Sequence, residues 1–294
     1  PAPAPPHSPP PLPPAAALPV SPARGVCDAV PVIPAYAWDR DVVCRDYSGG
    51  AVESMVMLPD GRLVSGSYGG TVCLRNVARG GDVVLSLNEA GDTVSALAVM
   101  PEGRRLVAGV SGDGGDWGNV VVWDVSMGSP VYRTSIDCER GVWALAVLHD
   151  RRLAAGCDDG VVRLVGVGTG AVGAVLEGHT MSVYALAVLH CGTLASGSAD
   201  GFVRLWDVAR RTCLVVLYDD VGSDVLSLAV LPDGRLAAGS QDGVVRLWDT
   251  DDEAYDELRI SGHKGGVHAL AALPDGRLLS GTGCDIFLWV MADL

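Results

Sequence analysis

His179, Ser196 (or Ser198) and Asp200 lie in one short stretch and are the residue types of an acyl-transfer relay: an imidazole base, a hydroxyl nucleophile and an orienting carboxylate. A relay of that kind must be presented once, at a cleft. Here parts of the set return at a regular interval, as Ser240 with Asp242 and as His263 with Ser280. A set that repeats at a structural period is expected to brace a scaffold. The other candidates for chemistry are weaker. Asp113, Asp116 and Asn119, in the stretch SGDGGDWGN from Ser111 to Asn119, offer oxygens for calcium but not at the spacing of an EF-hand loop. No HExxH, GxSxG or phosphate-cradling loop occurs. Eight cysteines (Cys27, Cys44, Cys73, Cys138, Cys157, Cys191, Cys213 and Cys284) are scattered singly, without a CxxC pair or a zinc-type Cys/His cluster. They are expected to be free thiols, several of them buried in strands, in a reducing compartment and hence cytoplasmic or nuclear. No catalytic residue, metal or cofactor is expected.

What positions these residues is a repeating frame, clearest from Val183 to Asp207, VYALAVLHCGTLASGSADGFVRLWD. Its three apolar runs, YALAVL, TLASGS and FVRLW, are divided by Cys191-Gly192 and Asp200-Gly201, the punctuation of strands joined by tight hairpins. A helix would need a longer run without Gly. The valine that opens each unit recurs at Val52, Val94, Val142, Val183, Val225 and Val267, at separations of 42, 48, 41, 42 and 42 residues. One strand triplet per period near 42 is the signature of a β-propeller.

The units resemble WD40 repeats. Gly178-His179 and Gly262-His263 stand where that family has its GH dipeptide, and Trp206-Asp207 and Trp248-Asp249 where it has WD. Trp123-Asp124 closes a longer unit, and PDGRL recurs at Pro59 to Leu63, Pro232 to Leu236 and Pro274 to Leu278. The resemblance covers residues 41 to 294. It implies an all-β, single WD40-type propeller in which a His, a Ser or Thr, an Asp and a Trp form a hydrogen-bonded tetrad in each blade. Unit four has all four, as His179, Ser196, Asp200 and Trp206. Unit five lacks the His and unit six the Asp turn. In unit one Arg75 replaces the Trp and Gly69 the Asp; in unit three Val165 replaces the Trp and Ala155 the Ser. Blades one and three are therefore expected to be the loosest. The SQDG at Ser240 looks like part of a sialidase Asp-box but falls within this frame.

At 49% apolar residues and a mean hydropathy of +0.30 the chain can bury a large core, yet no apolar run approaches the roughly 18 residues that span a bilayer. Strands covered on both faces read this way. A formal charge of −14 disfavours nucleic acid as the main partner and would steer a basic protein or peptide toward the surface. No membrane association is expected, and the oligomeric state is open.

Residues 1 to 25, PAPAPPHSPPPLPPAAALPVSPARG, are too rich in proline for helix or ladder and are expected to be a disordered, partly polyproline tail. The propeller is assigned to residues 26 to 294. Trp38-Asp39 is out of register with the repeats. Asp41 to Asp46 is expected to supply the last blade's missing fourth strand, closing the ring through the two ends of the chain. Six blades are favoured; seven would require Val26 to Trp38 and further residues to build another.

Partner peptides commonly dock on the family's top face, made by the loops entering each first strand and those between second and third strands. The positions just after each marker valine, Glu53, Ser95, Trp143, Tyr184, Leu226 and His268, are expected at that rim, with Tyr68, Asp158 and Gln241 beside the second turn. Trp117, at the tip of the glycine-rich hairpin, reads as a contact residue or as a lid folded back on the ring. Trp143 and Tyr184 with acidic Glu53 and Asp158 suggest a patch for a peptide bearing Arg or Lys, the alternative being a plug in the channel mouth. The expected function is that of a non-catalytic protein-interaction scaffold. Alternatives are a substrate receptor of a ubiquitin ligase, although Trp206-Asp207 is not followed by the WDxR pattern of one adaptor family, and a propeller hydrolase.

Overall fold

In the computed structural model the described residues are 29–30, 51–76, 82–86, 93–126, 131–218, 222–250, 257–283 and 285–290. The first strand is β1 (Ala29–Val30). Blade one is β2 (Val52–Met57), β3 (Arg62–Ser67), β4 (Thr71–Asn76) and β5 (Asp82–Ser86), and blade two is β6 (Thr93–Val99), β7 (Arg105–Ser111), β8 (Gly118–Asp124) and β9 (Val131–Asp137). Blade three is β10 (Val142–Val147), β11 (Leu153–Cys157), β12 (Val162–Gly166) and β13 (Ala171–Leu176). Blade four is β14 (Val183–Val188), β15 (Leu194–Ser198), β16 (Phe202–Asp207) and β17 (Thr212–Tyr218). Blade five is β18 (Val225–Val230), β19 (Leu236–Ser240), β20 (Val245–Trp248) and β21 (Glu257–Ile260). Blade six is β22 (Ala269–Ala272), β23 (Leu278–Gly281) and β24 (Ile286–Trp289), completed by β1. The result is six four-stranded antiparallel sheets. Among the described residues there is no α-helix, and the single 3-10 turn is Asp113–Gly115.

β1 pairs with β24, Ala29 opposite Trp289 and Val30 opposite Leu288, so the two ends of the chain share one blade as the closure expectation requires. The closing strand differs from the one read in the sequence: it is Ala29–Val30, whereas Asp41 to Asp46 lie outside the described residues. The Pro-rich stretch 1 to 25 also lies outside the described residues.

Repeated local chemistry makes the hairpins. In the turns between first and second strands, Asp60, Asp150, Asp233 and Asp275 each accept the amide of the arginine two residues on. Each also pairs with that arginine's guanidinium, at 2.7, 2.6, 2.8 and 2.6 Å to Arg62, Arg152, Arg235 and Arg277. An Asp that hydrogen-bonds two residues ahead is a turn former in its own right. PDGRL is thus hairpin chemistry, and His149-Asp150-Arg151-Arg152 does the same work without the proline or the glycine.

The core is divided among the seams between blades. Each of five seams is filled by an apolar cluster built around the marker valine of the following blade: Val94, Val142, Val183, Val225 and Val267. The second strands β11, β15 and β19 are buried on both faces, which is why LAAGC, LASGS and LAAGS show little polar alternation.

Candidate functional site

The relay residues meet in blade four. Trp206 Nε1 donates to Ser196 Oγ at 2.8 Å, Ser196 lies 2.7 Å from His179 Nε2, and His179 Nδ1 is 2.9 Å from Asp200. The carboxylate assigns the tautomer: Nδ1 carries the proton to Asp200, and Nε2 accepts from the serine hydroxyl. The connectivity is that of a Ser-His-Asp triad, but Ser196 is fully buried and its oxygen already accepts the Trp206 indole. No substrate carbonyl could reach it. Burial would raise the Asp200 pKa, yet hydrogen bonds from His179 and the amides of Thr180 and Phe202 outweigh it and hold it at about 2.

Blade six has the same chain, with Trp289 Nε1 2.6 Å from Ser280 Oγ and Ser280 2.7 Å from His263 Nε2. Its imidazole donates from Nδ1 to the carbonyl of Gly243 at 2.9 Å, a backbone acceptor replacing the absent carboxylate. Burial lowers the His263 pKa below its ordinary value. The unfolded chain takes up that proton near pH 6.5, so the histidine's contribution is complete above about that pH and is lost as the pH falls toward the depressed folded value. A denaturant midpoint that declines between pH 7 and 5, with the decline reduced in His263→Gln, is the expected result. Asp200, with its depressed pKa, loses its contribution only as the pH falls from about 4 toward 2.

Blades three and five lack the histidine and use a brace that motif reading missed. Arg163 Nη2 is 2.8 Å from Asp159, and Arg246 Nη2 is 2.6 Å from Asp242, both guanidinium groups being almost entirely buried. Each arginine lies one strand across from the tetrad's serine position, opposite Ala155 or Ala238, and reaches the turn carboxylate that histidine serves in blade four; unit five therefore lacks the tetrad serine as well, Ser240 being in register with Ser198. Blade three, expected to be loose, is therefore tied. The clue was the arginine in VVRL of units three and five, present beside a turn Asp and without a GH.

The rim positions have a common structural cause. In blades one to five the first strand shifts register just after its marker valine, leaving Glu53, Ser95, Trp143, Tyr184 or Leu226 as the extra residue of a β-bulge. A bulged residue is unpaired and its side chain is re-aimed. His268, just before β22, is exposed and bonds through its amide to Gly281. The second turns of blades three and five lie against the loop entering the next blade, Asp158 accepting the Ser182 hydroxyl at 2.8 Å and the Ser240 carbonyl the amide of Val267, while the amide of Gln241 bonds to the Asp224 carbonyl of its own blade.

Only part of the predicted set converges. The Trp143 and Tyr184 rings meet edge to face, 5.9 Å between centroids at 82°, across the seam of blades three and four. Trp143 Nε1 donates to Asp158 Oδ1 at 2.9 Å, the oxygen that also receives Ser182. All three side chains are half-buried. Ser95 pairs with Ser111 at 3.1 Å, while Leu226 and Gln241 flank Gly266 on blades five and six. Glu53 and Tyr68 are exposed on blade one, two blades from Asp158. Trp117 is half-buried, packs on the cluster between blades one and two and lies over Gly112, which fits the folded-back lid. Its hairpin reaches blade three, where Gly115 lies against Asp158 and accepts the amide of Gly141. Among the described residues no group of acidic, His and Cys side chains is arranged to hold a metal.

The opposite face holds a groove of about 920 Å³ between blades two and three, lined by Arg104, Arg105, Arg151, Glu102 and Asp124 among others. Sequence reading did not single it out, because its walls come from hairpins 47 residues apart, Arg104 and Arg151.

Comparison with known families matches the WD domain, G-beta repeat, to residues 170–207, 211–249 and 256–289. The first two stretches end on Trp206-Asp207 and Trp248-Asp249 and the third on Trp289, and all three lie in the six-sheet ring. Three matched repeats within six four-stranded sheets support a WD40-repeat propeller. Comparison with curated proteins yields no match. The WD40 motif is most regular in the last three blades; Arg75, the long second unit and Val165 mark the departures in the first three. WD40 propellers commonly serve as protein-interaction scaffolds, and the repeated Ser and His of this one are explained as braces. The described cysteines fit that scaffold. Cys73 is buried, Cys138 and Cys157 are buried thiols with pKa values raised by burial to about 12 and about 11, and Cys191 and Cys213 are exposed thiols. Cys27, Cys44 and Cys284 lie outside the described residues.

Proposed function

We propose that this WD40 propeller is a non-catalytic scaffold that captures a peptide bearing Arg or Lys on the top face of blades three and four. The observation that carries this reading is the Trp143–Tyr184 ring pair with Asp158 fixed beside it by Trp143 and Ser182. Two large rings with polar edges supply contact area at little entropic cost, and a carboxylate already positioned by hydrogen bonds needs no rearrangement to receive a cation. The surrounding negative charge, −14 over the chain, favours encounter with a basic segment. A reducing, cytoplasmic or nuclear setting accords with the free thiols.

The test is a peptide array varied in charge, followed by titration of the best binder. Selection should favour Arg and Lys, and Trp143→Ala/Tyr184→Ala should weaken binding roughly 30-fold or more, the effect of losing about 2 kcal/mol at an interface centre. The double variant should melt close to the wild type, and Asp158→Asn should reduce the preference for basic peptides. Undiminished binding, or a collapse in melting temperature showing the rings to be a plug, would overturn the reading.

A further inference from the structure

Each of the five filled seams carries the same key. A methyl built on Gly66, Gly109, Gly156, Gly197 or Gly239 would lie 2.4, 2.7, 2.8, 2.5 or 2.6 Å from Cγ1 of Val94, Val142, Val183, Val225 or Val267 respectively. The marker valine of one blade thus seats directly on a glycine of the blade before. By register the sixth glycine is Gly281, opposite Ile286 as Gly239 is opposite Val245, and the remaining valine is Val52. They do not meet. Among the described residues a methyl on Gly281 finds nothing nearer than Ala269 of its own blade, at 3.5 Å. Val52 is 46% exposed, whereas the other five valines are 0–3% exposed.

The surroundings follow suit. Leu97, Val99, Leu145, Val147, Leu186, Val188, Leu228 and Val230 pack into seam clusters, but their counterparts on blade one, Met55 and Met57, are 65% and 56% exposed. On the facing blade, Ile286 is 64% exposed where Val245 is wholly buried, and Ala271 is exposed where Ala229 is buried. Among the described residues, blades six and one therefore lack the packing that joins every other neighbouring pair, and each leaves an apolar face exposed at this seam.

We propose that this seam is a docking site for one β-blade supplied by a partner polypeptide: a small antiparallel sheet whose first strand seats a valine or isoleucine on Gly281 and whose second strand presents a glycine to Val52. A blade satisfies both faces at once, as blades two to five do with Val94 and Gly109, Val142 and Gly156, Val183 and Gly197, and Val225 and Gly239. A second copy stacking head to tail would offer Val52 to Gly281 and fill one face only. The site continues an interface that the chain forms five times over by apolar packing.

The methionines provide the assay. The full chain is treated with dilute hydrogen peroxide alone, or after co-expression with a carrier-fused copy of blade five (residues 225–260) or of blade three (residues 142–176), and oxidation is read by mass spectrometry. Met181, 54% exposed, and Met100, 2% exposed, are internal controls. In the free chain Met55 and Met57 should oxidise at a rate near that of Met181. At least one carrier blade should slow both by about tenfold or more and leave Met181 and Met100 unchanged. Gly281→Leu, whose side chain begins at ordinary contact distance from Ala269, and Val52→Asp should each abolish that protection. Protection in the free monomer would mean that the chain covers its own seam, and protection that tracks self-association in ultracentrifugation would make the occupant a second copy. Either result overturns the proposal, as does failure of both carrier blades to protect.

Discussion

Trp206→Ala is expected to destabilise the propeller by about 3–5 kcal/mol, measured as the shift in the denaturant unfolding midpoint. Trp206 is fully buried in the seam between blades three and four, where it packs with Leu164, Val183 and Leu194. Its indole is also the donor that completes the chain through Ser196 and His179 to Asp200. Truncation therefore opens a cavity and leaves a buried hydroxyl without its donor. Trp206→Phe keeps most of the volume and should cost about 1–2 kcal/mol, largely the lost hydrogen bond. Blade three shows why both partners must be considered together: at the same positions Ala155 and Val165 are apolar and fully buried, so no polar atom is stranded. By contrast Trp143→Ala, at a half-exposed rim position, should cost far less.

Gly156→Ala is the second large effect expected. The new methyl would stand 2.8 Å from Val183 Cγ1 and 2.9 Å from the Val183 carbonyl oxygen, and a backbone atom cannot swing aside. Overpacking of this kind costs about 1–3 kcal/mol, and here the seam of blades three and four must spread to admit it. Gly281→Ala places its methyl at ordinary contact distance from Ala269 and should leave the melting temperature nearly unchanged. The contrast between two glycines at equivalent positions, measured by thermal unfolding of both variants, checks the packing independently of any partner.

Much of the fold is legible before any coordinates. Gly-punctuated runs such as YALAVL, TLASGS and FVRLW mark strand and hairpin locally, and their recurrence marks identical units whose apolar faces must be covered by neighbours. The repeat places outer strands at Asp82 to Asn88, Pro130 to Ile136, Ala171 to Glu177 and Cys213 to Tyr218, and those observed are Asp82–Ser86, Val131–Asp137, Ala171–Leu176 and Thr212–Tyr218. The bulge positions were legible for a related reason: in blades one to five the residue after the marker valine occupies a bulge. Which rim residues touch was not, because Trp143 and Tyr184 are 41 positions apart and meet only through the docking of two blades. The arginine braces escaped for want of a motif, since an Arg four residues from an Asp is ordinary in sequence and becomes a brace only when a hairpin folds the two together.

Residue types and their period determined by themselves that this chain makes strands in triplets, six times, each unit opened by a valine. Those are short-range properties, set by backbone preference and by the need to bury alternate or continuous apolar faces. Tertiary structure alone decided that Ala29–Val30 completes the last blade, that Ser196 is sealed behind Trp206, and that Val52 and Gly281 stand apart while the other five pairs interlock. Each of these depends on how far a long array curves before its ends meet. That curvature is a sum over many small seam angles, and no single residue or local pattern encodes it.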